Sequence, residues 1–562
     1  MRTQLWIASV FIAASVAIAG LPSRAAAFCG FYVAGADSDL YANATMVVLM
    51  RDGTRTVLSM QNNYQGPPDA FALVIPVPTV LTQDQVKILP KSVFQHVDAL
   101  GAPRLVEYWE DDPCRPPYPE TFNSAGAMTA PAAPPSGDSA VKIEAQFTVG
   151  EYDVVILSAN DSSALDGWLR SNQYNIPNGA ADVLAPYVAA GTKFFVAKVD
   201  ASKVTFVNGQ AALSPLRFYY DTPDFTLPVR LGLLNSQGAQ DLIVNILAPT
   251  RFEVANYPNV TVPTNLLVKN DVRNSFPGFY EALFSKVLDK NPGAVVTEYS
   301  WDSASCDPCP TPPLEQSDLA TLGADVTRGL GADMTNAPNG VVTSYVDYTL
   351  TRLHYRYTKD SLGDDLVFKQ VDAIMGGRGI PDAQGNLDTT VETVDSTNNF
   401  QGRYVILHPW TDAVTCANPL RGSWGYGSNS GAPPAIGATN AALSGMTPAP
   451  ASLSSSLAQS VPALGVDLTS SATGGAGGTA PAADGGSSGA IASGAAAAAA
   501  GAAGAAGQPT RIVAPFESAS QSKGCNACSV GTSRSLPPSA AGCALFLFGA
   551  FAARRRTRAK RS

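Results

Sequence analysis

The sequence predicts an α+β protein. Its body is two tandem units, read as duplicates, with mostly antiparallel sheets backed by helices. A disordered stalk and a short C-terminal hydrophobic helix follow. Three observations predict this. Strand-like runs pair across turn signals, as "TMVVLM" and "TRTVLSM" do across Arg51-Asp52-Gly53. Two other segments, "SVFQHVDAL" and "GFYEALFSKVL", carry apolar residues at helical spacing. Similar segments then return in the same order along the chain, which points to layered sheets and helices repeated once.

The repeat is clearest around the cysteines. "LVEYWEDDPCRPP" and "VTEYSWDSASCDPCPTPP" both run Glu-Tyr, Trp, acid, Asp-Pro-Cys, prolines. Upstream, "PPDAFALVIPVP" matches "TPDFTLPVRLG", and the first hairpin matches "KFFVAKV" with "KVTFV". Downstream, "EYDVVILSANDSSALDGWL" matches "DYTLTRLHYRYTKDSLGDDLVF", each read as strand, break and short helix. The expected units are residues 28–192 and 193–421.

The two ends of the chain set its expected address. Residues 1–27 have an early arginine, an apolar run and small residues at Ala25 and Ala27, the pattern of a secretory signal cleaved after Ala27. Residues 422–524 are mostly Ala, Gly, Ser and Pro, too poor in large apolar groups to offset ordering entropy, so they read as a disordered stalk. Within it Gly485-Gly486-Ser487-Ser488-Gly489 matches a nucleophile-elbow pattern but lacks the strand and helix that motif needs. Residues 525–562 then hold a charge-free helix at 539–553 and an arginine cluster from Arg554. That helix would span about 22 Å, short of a ~30 Å hydrocarbon core, and its arginines would stay cytoplasmic. A C-terminal membrane anchor or sorting signal is therefore expected, with the protein exported to the cell envelope or surface.

The chain carries a net charge of −9 even with the basic residues of both ends included, so it lacks the basic footprint of a nucleic-acid binder. Export makes Cys29, Cys114, Cys306, Cys309 and Cys416 disulfide candidates. Matching positions in the repeat favour Cys306–Cys309 or Cys114–Cys306, with Cys29 and Cys416 available near the ends of the body. Redox catalysis by Cys306-Asp307-Pro308-Cys309 is disfavoured because Pro310, Pro312 and Pro313 oppose the helix that activates such a thiol. Zinc binding would need Cys114 and one of only three histidines, His96, His354 or His408, to complete a site.

Acidic clusters at Glu110, Asp111 and Asp112, and at Glu298, Asp302 and Asp307, suit either general acid–base work or a solvated rim. Calcium-loop spacing is missing from both. Strand alternation puts Arg352, His354 and Arg356 on one face of "YTLTRLHYRY", with Leu353, Tyr355 and Tyr357 on the other. The basic face is expected to be solvent-facing and paired with nearby acids. His408-Pro409-Trp410 is expected to pack at a strand end.

Two resemblances add to this reading. Gly524-Cys525, the helix at 539–553 and the arginines from Arg554 resemble the myxobacterial C-terminal sorting signal, which implies processing or attachment at Cys525. Cys528 and a long polar spacer depart from that pattern. The segments "FCGFYVAGAD", "VVLMRDGTRTVLSMQNNYQGPPDAFALVIPVP", "PRLVEYWEDDPC", "TEYSWDSASCDPC", "LTRLHYRYTKDSLGDDLVF" and "FQGRYVILHPW" resemble the secreted domain-of-unknown-function family 2330. No catalytic residue carries over from that family, since none is assigned to it, and no cofactor or metal is expected. The expected function is a non-catalytic envelope protein that binds an extracellular protein or glycan. The alternative is an exported hydrolase using the acids of the repeated Glu-Tyr-Trp-Asp segments.

Overall fold

A left-handed glycine makes the first turn: Gly53, at φ 56°, lets β1 (Thr45–Asp52) fold back on β2 (Arg55–Met60). The computed structural model describes residues 45–61, 72–114, 143–172, 179–204, 213–235, 238–327, 347–426, 435–439 and 452–468, with short pieces before and between them. β3 (Ala72–Val77), β4 (Val86–Ile88), α1 (Lys91–Gly101) and β5 (Arg104–Glu110) follow. In α1 the residues Val93, Phe94, Val97 and Leu100 make one buried stripe, and Pro103 lies just beyond its end at Ala102.

Next come β6 (Ile143–Val149), β7 (Tyr152–Ser158), α2 (Ser162–Ser171), α3 (Ala180–Ala189) and β8 (Lys193–Val199). Asp161 caps α2, its side chain accepting from the Ala164 N–H. The remaining principal elements are β9 (Leu216–Asp221), β10 (Gln240–Ala248), α4 (Phe276–Lys290), β11 (Val295–Asp302), β12 (Thr349–Tyr357), β13 (Asn399–Gln401) and β14 (Arg403–His408). Pro277 sits in the first turn of α4, where its missing N–H costs nothing.

The central sheet runs β13-β11-β12-β10-β1-β2-β9-β4, extended beyond β13 by Ala373–Gly376 and Glu392–Val394. Most of its pairs are antiparallel; β10 and β1 are parallel. A second, antiparallel sheet runs β3-β8-β7-β6 and packs on one face of the first. Leu49, Leu58, Ile246, Leu353 and Tyr355 meet Ile75, Ile156 and Phe195 in that interface. Helices α2 and α3 cover the outer face of the second sheet, with Leu165, Leu169 and Leu184 against Val74, Leu157 and Phe194. Helix α1 lies on the opposite face of the central sheet, against Val48, Ile243 and Leu350.

A third, smaller sheet pairs β5 with β14 in parallel and is covered by α4 through Phe276, Phe279 and Tyr280. β13 and β14 are one run broken at Gly402, so the chain passes from the central sheet directly into the small one.

The α+β class with mostly antiparallel sheets is what the structure has. The division into two tandem duplicates is not. β1 and β2, from residues 28–192, lie between β10 and β9 of residues 193–421, and β5 pairs with β14. The described residues through Leu468 belong to one compact unit. The matched segments also differ in structure. "KFFVAKV" is β8, which pairs with β7 and β3 and makes no hairpin with "KVTFV". "DYTLTRLHYRY" is followed by a turn and the strand Leu366–Gln370, where "EYDVVILS" is followed by α2. What does recur is a helix leading into a Glu-Tyr strand, α1–β5 and α4–β11.

The stalk boundary also moves. Trp424–Gly425 and Ile436–Gly437 both pair with β5, and Leu453, Leu457, Val461, Leu464 and Val466 are buried with α4 residues in one cluster. Few apolar side chains are enough here because nearly every one of them reaches the core. The signal segment with Ala27, Cys29, the remaining stalk, Cys525 and the hydrophobic segment 539–553 lie outside the described residues. No helix among the described residues is long and apolar enough to cross a membrane.

Candidate functional site

The basic face of β12 is buried. Pairing with β10 and β11 on its two sides turns Arg352 and His354 toward α1 and α4. The β11–β12 register shifts between Thr297 and Tyr299, so Glu298 is the extra residue of a β-bulge. Its carboxylate accepts from Arg352 Nε at 2.7 Å and faces His354 Nδ1 at 2.7 Å. The Tyr280 hydroxyl, from α4, donates to the same group.

The chain of charges continues both ways. Arg352 Nη1 donates to Asp98 on α1 at 2.7 Å. On the other side His354 Nε2 lies 3.1 Å from Asp241 on β10, which also takes a two-pronged bond from Arg356. Three carboxylates, Asp98, Glu298 and Asp241, thus alternate with Arg352, His354 and Arg356. Both ring nitrogens of His354 face carboxylates, so the imidazole must hold two protons to donate to each. Phe284 of α4 stacks on that ring at 3.8 Å.

Electrostatics agree with that assignment. Burial alone would lower the His354 pKa, but Glu298 and Asp241 raise it. Burial works to raise the Glu298 carboxyl, and His354 and Arg352 outweigh it, holding it at about 2. Asp241 is held below its usual range in the same way, by His354 and Arg356 against the cost of burial.

The acidic cluster after β5 is also occupied. Glu110 accepts from the backbone N–H groups of Trp410 and Gly422, both at 2.9 Å, and from Arg421 at 3.0 Å. Burial opposes its ionisation, yet these donors keep its pKa below the usual value. Asp111 accepts from the Ser423 hydroxyl and Asp112 from the Cys114 N–H. Together they fix the 410–423 segment beside Cys416. Asp302 accepts from the Ala304 N–H, and the Asp307 carbonyl from Gln401.

The histidines do not converge. His96 pairs with Asp318, and His408 pairs with Glu107 at 2.7 Å while stacking on Trp109. The Glu107–His408 pair, with Arg273 on its rim, is partly open. The cysteines separate into two pairs. Cys306 is bonded to Cys309, and Cys114 to Cys416, across a sequence separation of 302. Cys114–Cys306 is therefore not the bridge. Among the described residues no group of three or more His, Cys, Asp or Glu is placed to hold a metal ion.

Sequence reasoning missed Asp98, Asp241 and Tyr280, which no local pattern sets apart from the other polar residues of α1, β10 and α4. It also missed two fully buried arginines beside the network. Arg104 donates to the carbonyls of Leu100 and Pro308, and Arg403 to Asn265, Tyr108 and Gly379.

The fold and its inward-turned charges define a class of layered α+β body with an ionic core and disulfide ties. The family model described as "Uncharacterized protein conserved in bacteria (DUF2330)" matches residues 23–369, and the chain belongs to that family. The folded body continues past the matched span, since β14 and the segments pairing with β5 lie beyond it. No curated protein and no solved structure matches the chain.

Proposed function

We propose that this chain is an exported protein of the bacterial cell envelope, held at its C-terminal end, whose body binds an extracellular protein or glycan without catalysis. The observation that carries the reading is the Cys114–Cys416 pair. A tie between positions so far apart in sequence forms and persists where thiols are oxidised, which is outside the reducing cytosol. The leader at 1–27 and the tail at 525–562 support the same address, the tail providing the membrane contact and Cys525 the attachment point.

The hydrolase alternative needs acids from the Glu-Tyr-Trp-Asp segments to be free for substrate. Glu110 is saturated by donors, and Glu298 is sealed beneath α4 by three partners. A general acid must reach the atom it protonates, and neither group can.

Surface labelling of intact cells tests the proposal. An impermeant amine reagent is expected to modify body lysines before lysis, and Cys525→Ala to release the protein or leave it unprocessed. Labelling only after lysis, with the protein in the cytosolic fraction, would overturn it.

A further inference from the structure

The Cys306–Cys309 loop stands apart from the other tie in exposure, in ring size and in what holds its backbone. We propose that this pair is a thiol–disulfide exchange site whose substrate class is an external dithiol. Cys309 is exposed, whereas Cys306 is half-buried against the core around α1. An incoming thiolate therefore has one open sulfur to attack.

The loop keeps its shape without the bond. The carbonyls of the two intervening residues are each held by a fully buried side chain: Asp307 O accepts from Gln401 Nε2, and Pro308 O from Arg104 Nη1 at 2.9 Å. On either side, Ser303 N donates to Tyr348 O and Leu314 N to Ser303 O. None of these bonds involves sulfur, so opening the pair leaves the two cysteines presented with Cα atoms about 4.9 Å apart. The bond closes a sequence separation of only 3, so breaking it frees little chain entropy. Cys114–Cys416 differs on each count: both cysteines are half-buried and their bond spans 302 residues.

The Arg104 guanidinium that holds the Pro308 carbonyl is itself fully buried and lies over the Tyr299 ring, so the loop rests on a fixed support.

The step balances as a two-electron exchange. One thiolate of the dithiol attacks Cys309 Sγ; the Cys306–Cys309 bond breaks, and Cys306 leaves with the electron pair and takes a proton. The second thiol of the reductant then attacks its own sulfur in the mixed disulfide. Cys309 is released and protonated, and the dithiol leaves as a disulfide. In the reverse direction Cys309 is the attacking thiol and Cys306 the resolving one.

Limiting dithiothreitol on the purified full chain, followed by alkylation and peptide mass analysis, tests this. Cys306 and Cys309 should be labelled first, with Cys114–Cys416 intact and the circular dichroism unchanged. Glutathione disulfide then probes the order of attack: Cys306→Ser, which keeps Cys309, should gain its adduct about tenfold faster than Cys309→Ser, since Cys309 is the exposed thiol. The proposal fails if Cys306–Cys309 opens no earlier than Cys114–Cys416 or only with loss of the fold. It fails equally if the two variants react at the same rate. Should either variant not fold, the wild-type reduction series decides alone.

Discussion

Replacing Glu298 with glutamine removes one charge from the middle of the buried ion network and almost no volume. Arg352 would keep only Asp98, and His354 only Asp241, so a surplus positive charge would sit where β11, β12, α1 and α4 exclude water. Breaking a buried pair from one side typically costs about 3–5 kcal/mol, much of it the unpaired charge left behind. Set against the 5–15 kcal/mol that holds an ordinary domain together, that is about a fifth of the total or more. Urea titration followed by tryptophan fluorescence would show the loss as a lower midpoint with an unchanged slope. Arg170→Gln provides the control. It breaks the exposed i,i+4 pair with Asp166 and should cost under about 1 kcal/mol. If Glu298→Gln cost no more than the control, the network would not be an ionised, mutually dependent unit, and the reasoning would fail.

The same network bounds stability on both sides of neutral pH. Glu298, held at about 2, contributes fully above its ordinary 4.5 and is lost as pH falls toward 2; His354, raised above 6.5, contributes below that value and is lost as pH rises through its folded pKa. Denaturation midpoints across a pH series should therefore form a plateau with two shoulders, and Glu298→Gln should pull the alkaline shoulder down. Leu457→Ala should cost about 2–5 kcal/mol, because this residue is fully buried in the α4 cluster. A change under half that range, by the same urea assay, would mean that residues 452–468 are not part of the folded body. Cys114→Ser should cost about 2–5 kcal/mol by releasing a long loop, read as a fall in melting temperature relative to the oxidised wild type.

Local pattern carried the sequence reading as far as local physics reaches. The hairpin at Gly53, the helices α1 and α4 and the two-faced alternation of β12 all follow from spacing within about ten residues. What covers a face is a non-local matter. Arg352, His354 and Arg356 did pair with acids, but α1 and α4 close over them, and the bulge that aims Glu298 at them depends on the register with β12. Sequence likeness between Glu-Tyr-Trp segments suggested duplication, yet one segment entered the central sheet and the other the small one. Likewise, composition alone missed the docking of Leu453, Leu457, Val461 and Leu464 in the Ala/Gly/Ser-rich region. A handful of apolar residues decides whether such a segment docks.

Mass analysis of the protein isolated directly from its native cells, alkylated before any reductant is added, tests whether the chain is exported and its cysteines paired. The expected product is a chain beginning at Phe28, recovered with the envelope, in which Cys114 and Cys416 take up label only after reduction. A chain still beginning at Met1, recovered from the cytosol with both thiols already alkylated, would contradict that expectation.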